Sequence, residues 1–229
     1  MYEVLADWPD VIDSVPMVIE PKREPEPEQR TFTEIARRRQ IVGAAIDTIA
    51  EVGYAQASLA RIAARIGISK GVISYHFAGK DDLIKQVVVD VIEAGRNYIL
   101  PRVSAEITGP GMLRAYIESN LSFMRDHRNY MVAVVEILRS GAFKTDGGRR
   151  LDGREVDVAT RLLQEQLARF QDGGDLRGDF DPSAMAIAIR AAIDVVPHRL
   201  VLDPEFDIDR YAVEIANVFD RATRRDDPQ

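Results

Sequence analysis

The 229-residue chain contains no cysteine. That excludes disulfide scaffolds, thiolate metal sites and cysteine nucleophiles, and it suits a reducing compartment. Histidine is scarce, with three residues, and none stands in a paired Glu-x-x-His or a His-Glu-x-x-His arrangement. Neither a Gly-x-Ser-x-Gly elbow nor a phosphate-cradling glycine loop occurs. Catalytic and metal-ligating residues are therefore none, the chain reads as a non-enzyme, and no cofactor is expected. Long apolar runs are missing too. The best candidate, Met185 to Val196, is cut by Arg190 and Asp194, short of the roughly 18–20 residues a bilayer needs. Where a signal peptide would carry a basic region, Glu3, Asp7 and Asp10 stand instead. The expected location is the cytoplasm, with no membrane partner. Finally, no useful stretch alternates polar and apolar residues with period two, so strands are not expected.

What is present is charge, unevenly placed. The net charge is −7, which at first argues against a nucleic-acid partner, because phosphate binding needs local positive charge. The average conceals a split. Residues 1–30 hold 3 Lys/Arg against 8 Asp/Glu, residues 31–85 hold 8 against 5, and residues 86–229 hold 19 against 24. One basic segment lies between two acidic ones, and that asymmetry says more than the mean.

The chain divides into 1–30, 31–80 and 81–229. The first part ends in Glu20-Pro21-Lys22-Arg23-Glu24-Pro25-Glu26-Pro27-Glu28, an extended, proline-punctuated tail. Order is expected from Thr31, where Thr31-Phe32-Thr33-Glu34 has capping-box spacing. Ile35, Ile41, Val42, Ala45, Ile46 and Ile49 follow at helical spacing as far as Gly53. A second helix opens at Ser58, presents Leu59, Ile62, Ala63 and Ile66, and stops at Gly67. Ser69 caps a short third helix that Ala78-Gly79 breaks. A longer one from Asp81 is apolar at Leu83, Ile84, Val87, Val88, Val91 and Ile92, and ends at Pro101. Further helices are expected from Pro110 to about His127, Asn129 to Ser140 and Arg154 to Phe170, with Gly141 to Gly153 as a mobile loop. Asp181-Pro182 opens the next with a cap and an N1 proline, and Pro197 should kink or end it. The last runs from Asp207 to Arg224. The fold class is all-α: a three-helix N-terminal module followed by a larger helical bundle.

Three helices within about fifty residues, the second and third joined by a tight glycine turn, form a helix-turn-helix pattern. In Ser69-Lys70-Gly71-Val72-Ile73-Ser74-Tyr75-His76-Phe77, Val72, Ile73 and Phe77 sort to an inner face. Lys70, Ser74, Tyr75 and His76 sort to an outer one. A short helix of this kind suits the DNA major groove.

Residues 32–85 resemble the TetR family of bacterial transcriptional regulators. The matching positions are Gly53-Tyr54, Ser58, Ile62-Ala63, Gly67-Ile68-Ser69, Gly71, His76-Phe77, Lys80 and Leu83. One departure is Ser74, where many members carry Tyr; Tyr75 follows directly and takes part of that role. The resemblance implies a DNA surface of Arg37, Arg38, Ser58, Ser69, Lys70, Gly71, Ser74, Tyr75, His76 and Lys80. Gly71 would let the helix start approach DNA closely, and Ser58 and Lys80 would hold phosphates. Arg39 joins the basic run, whose alternative is a solvated helix face. Phe77 and Ile62 should be core.

For the larger domain the resemblance implies a small-molecule effector site. Its candidates are Tyr98, Tyr116, Asn120, Phe123, Met124, Met131, Glu136 and Phe170, with Ile137 and Arg139 beside them. At helical spacing each is also an ordinary core position. Asp194 and His198, four residues apart, read as a helix-end hydrogen bond beside Pro197. The final two helices resemble the pair through which members form homodimers. They offer small residues (Ala184, Ala186, Ala188, Ala191, Ala192) and apolar area (Ile187, Ile193, Val195, Tyr211, Ile215, Val218, Phe219).

The expected partners are double-stranded operator DNA, a small effector of unknown identity and a second copy of the chain. The expected function is a ligand-released repressor on a palindromic operator, with the helix from Asp81 as lever. Open alternatives are an activator, a regulator answering to a protein partner, or an interaction protein with a vestigial helix-turn-helix.

Overall fold

A computed structural model describes residues 32–141 and 154–225. The tail 1–30, the cap at Thr31 and the loop from residue 142 to 153 lie outside the described residues. Ten helices make up the described chain: α1 (Phe32–Val52), α2 (Leu59–Arg65), α3 (Lys70–His76), α4 (Lys80–Ser104), α5 (Gly109–Asp126), α6 (Arg128–Ser140), α7 (Arg154–Asp172), α8 (Pro182–Asp194), α9 (Val196–Leu202) and α10 (Ile208–Thr223). Among the described residues the only β feature is an isolated antiparallel bridge between Leu176 and Arg224. The protein is all-α, with an N-terminal helix-turn-helix and a helical C-terminal part.

The described residues fall into two units, 32–94 with 127–141 and 95–126 with 154–225. In the first, α1 packs on α2 and α6, and α2 packs on α3. Ile41, Val42, Ala45, Ile46 and Ile49 of α1 are all at most 2% exposed, the inner stripe of one amphipathic helix. Each isoleucine or valine of that stripe contributes about 1.5–3 kcal/mol through burial. Ile62, Ile73, Phe77 and Leu83 complete this core. Ile35 is exposed despite its spacing. It lies in the first turn of α1, beside the even more exposed Phe32, where burial has not yet begun. Ile92 of α4 is likewise exposed.

Glycines shape the joints. Gly53 closes α1 at φ +79°, where its amide donates to the Ile49 carbonyl at 2.9 Å. Gly67 closes α2 at φ +67° in a Schellman turn: the Ile68 amide reaches the Ala63 carbonyl at 3.0 Å and the Gly67 amide the Ala64 carbonyl at 3.2 Å.

α4 does not end at Pro101; it continues to Ser104. Proline removes a single ladder bond, and so near the helix end that loss is tolerable. The Arg102 guanidinium, which donates to the Tyr98 carbonyl and stacks 3.7 Å from that ring's centroid, supports the last turns.

In the second unit α5 is the central helix, packed by α7, α8, α9 and α10. Met112, Leu113, Ile117 and Leu121 on α5 meet a core that includes Ile189, Ile193, Leu163 and Ala216. Asp181 caps α8 by accepting from the Ala184 amide at 2.7 Å, and Asp207 caps α10 through the Arg210 amide at 2.9 Å. Pro197 acts as expected. α8 ends at Asp194, and α9 restarts beyond Val195 with the proline in its first turn.

Candidate nucleic-acid interface

α3 is seven residues long and two-sided. Ile73 and Phe77 are buried, Val72 is half-buried, and Ser69, Lys70, Gly71, Ser74 and Tyr75 are exposed. The inner pair anchors the helix, and what remains is an exposed, mostly polar outer face from Ser69 to Tyr75. Ser69 holds the N-cap position, yet its hydroxyl makes no capping bond and stays available. A Cβ placed on Gly71 would meet only the Ser69 hydroxyl, at an ordinary 3.5 Å. Nothing within the described chain therefore demands glycine there. Tyr75 is 75% exposed; its hydroxyl donates to Glu34 at 3.2 Å, and its ring meets His76 edge-on with centroids 5.0 Å apart. His76 is half-buried.

The remaining basic and hydroxyl candidates divide by what they already hold. Arg37 is tied to Gln40 at 2.6 Å on the same helix, and Arg39 is exposed. Arg38 turns the other way. It donates to the His76 carbonyl and to Gln86 at 3.3 Å, and its guanidinium lies 4.3 Å from the centre of the Phe77 ring. Ser58 accepts from the Arg61 amide at 3.2 Å as the α2 cap. Lys80 donates to the Tyr54 carbonyl at 2.7 Å and sits 4.0 Å over the Tyr54 ring. Burial lowers the Lys80 pKa and raises that of Tyr54.

Residues 41–87, the stretch that builds α2, α3 and their supports, match the family described as "Bacterial regulatory proteins, tetR family". The HTH-type transcriptional regulator BetI of Cronobacter sakazakii is 31% identical over 137 residues, which is 59% of this chain and 66% of that protein. The chain belongs to the tetR family. BetI 1 of Chromohalobacter salexigens is 34% identical over 96 residues, 42% of this chain and 48% of its own length. The matches thus span about half to two-thirds of these relatives. Two solved tetR-like structures share the fold across both units. The fatty acid degradation regulator FadR from Bacillus halodurans has a TM-score of 0.67 at 20% identity, covering 80% of this chain and 94% of its own. SmeT, the repressor of the Stenotrophomonas maltophilia multidrug efflux pump SmeDEF, has a TM-score of 0.66 at 23% identity, covering 86% and 92%.

The eight effector candidates do not form one set. Met131 and Glu136 lie on α6, in the unit of the tetR module. There the Glu136 carboxylate comes within 3.2 Å of where a Gly53 Cβ would stand, and pairs with Arg139 at 3.9 Å. Tyr98, Tyr116, Asn120, Phe123, Met124 and Phe170 belong to the other unit. Within it, Tyr98 donates to Asp126 at 2.9 Å and lies 5.7 Å from Phe123, while Phe170 packs at Gly109. Tyr116 and Asn120 meet Arg190, at 3.0 and 3.5 Å. The contacts of Arg190, Gln86 and Tyr54 were not legible in the sequence, because nothing local marks a side chain whose partner is distant. Asp194 pairs with Arg190 rather than with the exposed His198. Four residues along one helix face bring that pair together, whereas Val195 interrupts the path to His198. Among the described residues no group of three or more His, Cys, Asp or Glu could hold a metal ion, and no helix is long and apolar enough to cross a membrane.

Proposed function

We propose that the chain is a cytoplasmic, ligand-responsive transcriptional repressor that binds a palindromic operator as a homodimer. The observation that carries the reading is the two-sided α3. Its core face fixes the helix, and its exposed outer face of Ser69, Lys70, Gly71, Ser74 and Tyr75 offers hydroxyls, an ammonium and a side-chain-free approach to a groove wall. Lys70 and Tyr75 are the principal contacts, with Arg37 and Arg39 reaching flanking phosphates. Arg38, Ser58 and Lys80 serve mainly to position the module, since each is already engaged within it.

One seven-residue helix makes few contacts, and a two-fold pair doubles them. The last helices carry apolar side chains on their outer faces in support of that pairing. Ile187 is 58% and Val218 56% exposed, Val195 and Val213 are exposed as well, and Ala184, Ala188 and Ala191 flank Ile187 on α8. Ala186, Ile193 and Phe219 point into the core instead. An effector in the α5-centred unit would act by favouring a spacing of the two α3 helices that mismatches successive grooves. It needs differential affinity for that state, and α4 is the element with residues in both units. Selection from random DNA tests the reading. The expected product is an inverted repeat with half-sites one helical turn or a multiple apart; recovery of unenriched sequence would refute it.

A further inference from the structure

The α5-centred unit holds a polar cluster around one charged side chain. Arg190 of α8 is 15% exposed in its side chain, and it faces Tyr116 and Asn120 of α5. The Arg190 guanidinium donates through one terminal nitrogen to the Tyr116 hydroxyl at 3.0 Å and to the Asn120 carbonyl oxygen at 3.5 Å. Through the other it donates to Asp194. Asn120 is fixed in turn by donating to the Tyr116 carbonyl at 2.8 Å. The third nitrogen, Nε, is buried and meets no partner among the described residues.

That arrangement leaves a specific deficit. A guanidinium presents Nε and one terminal nitrogen as a parallel pair that matches the two oxygens of a carboxylate or phosphate. Asp194 occupies a terminal nitrogen, and the Nε half is unused. A buried donor without an acceptor is costly, most of all on a charged group. The Tyr116 hydroxyl oxygen accepts a hydrogen bond from Arg190, and its own O–H can donate to an incoming oxygen. Burial raises the Tyr116 pKa, so the hydroxyl stays a donor. Along α5 the next turns on the same face are Phe123 and Met124, both largely buried. Residues at i, i+4, i+7 and i+8 share one side of a helix. A polar end of Tyr116 and Asn120 therefore passes into an apolar stretch.

We infer that Arg190 and Tyr116 form the recognition point for an organic acid: an oxyanion head on Arg190 Nε and the Tyr116 hydroxyl, and an apolar body along Phe123 and Met124. This rests on the ligand-responsive reading above and names the class of its effector. Asp194 is the neutralising partner in the absence of the acid. It is also the last residue of α8, so an oxyanion that takes over part of its bonding acts directly on the helix end before the break at Val195.

The test uses the full chain and four ten-carbon probes: decanoate, decyl phosphate, decanol and decylamine. Calorimetric titration of each is run beside operator-DNA anisotropy, so the two readings fail separately. The expected result is saturable binding of decanoate, weakened about tenfold or more in Arg190→Lys, which keeps the charge but loses the fork. Tyr116→Phe should weaken it as well, and decanol and decylamine should not bind. Tighter binding of decyl phosphate than of decanoate, with the same variant effects, supports the site and assigns its head as a phosphate. Equal binding of all four probes, no binding of either acid, or an Arg190→Lys protein that binds like the wild type would overturn it. Should Arg190→Lys fail to fold, Tyr116→Phe decides alone, since removing one hydroxyl preserves the packing. DNA binding without acid binding refutes this inference and leaves the regulator; acid binding without DNA binding does the reverse.

Discussion

The Lys80 ammonium grips Tyr54 twice, donating to its carbonyl at 2.7 Å while resting 4.0 Å over its ring. One side chain thereby fixes the start of α4 to the turn between α1 and α2. The grip is partly buried, and burial lowers the Lys80 pKa from its ordinary 10.5.

With the folded value below the unfolded one, the native state releases this proton first. Over that interval it binds fewer protons than the unfolded chain, so stability climbs with pH. The Lys80 contribution is complete above 10.5 and is lost as pH falls through the folded value. Wild type should therefore gain stability relative to Lys80→Met as pH rises toward 10.5, measured by urea unfolding at stepped pH. Parallel curves would contradict this.

Arg38 is the second positioning residue. It braces the C-terminal end of α3 through the His76 carbonyl and reaches Gln86 on α4. Arg38→Ala should weaken operator binding about tenfold without changing the dependence of affinity on salt, because no phosphate contact is lost. A fall of about one in the salt slope would instead identify Arg38 as a phosphate contact.

At Gly53 the backbone sits at φ +79°, and a Cβ would stand 3.2 Å from the Glu136 carboxylate. Gly53→Ala should cost about 1 kcal/mol, a drop of about 2–4 °C in Tm for a chain of this size. Calorimetry on the variant checks it, and an unchanged Tm would contradict the strain that φ +79° imposes on a side chain.

Ile187 is 58% exposed on α8, where an arginine disturbs no core. Ile187→Arg should preserve helicity by circular dichroism yet shift the protein from dimer to monomer in sedimentation, with weaker operator binding. A variant that stays dimeric places the interface elsewhere.

The α-helical architecture was legible because it rests on local rules. Ser58, Asp181 and Asp207 are caps, Gly53 and Gly67 are stops, and the periodic stripe from Ile41 to Ile49 is core. The two-sidedness of α3 was legible for the same reason. Orientation across helices was not. Arg38 lies in a run of three arginines, and only the fold turns it toward His76 while Arg39 faces solvent. Pro101 was misread as a stop because its effect depends on how many ladder bonds follow it. Arg190 looked like an interruption of an apolar run, since its partners Tyr116 and Asn120 are seventy residues away or more.

The central claim is that the outer face of α3 reads DNA, and fluorescence anisotropy across a range of salt concentrations tests it most directly. Wild type and a Lys70→Ala, Tyr75→Ala double variant are titrated against a selected operator, and both exposed side chains can be removed without touching the core. The account predicts tight, salt-steep binding by the wild type and a loss of about 2–6 kcal/mol in the variant, from two contacts worth about 1–3 kcal/mol each. A variant that binds as the wild type does would contradict it.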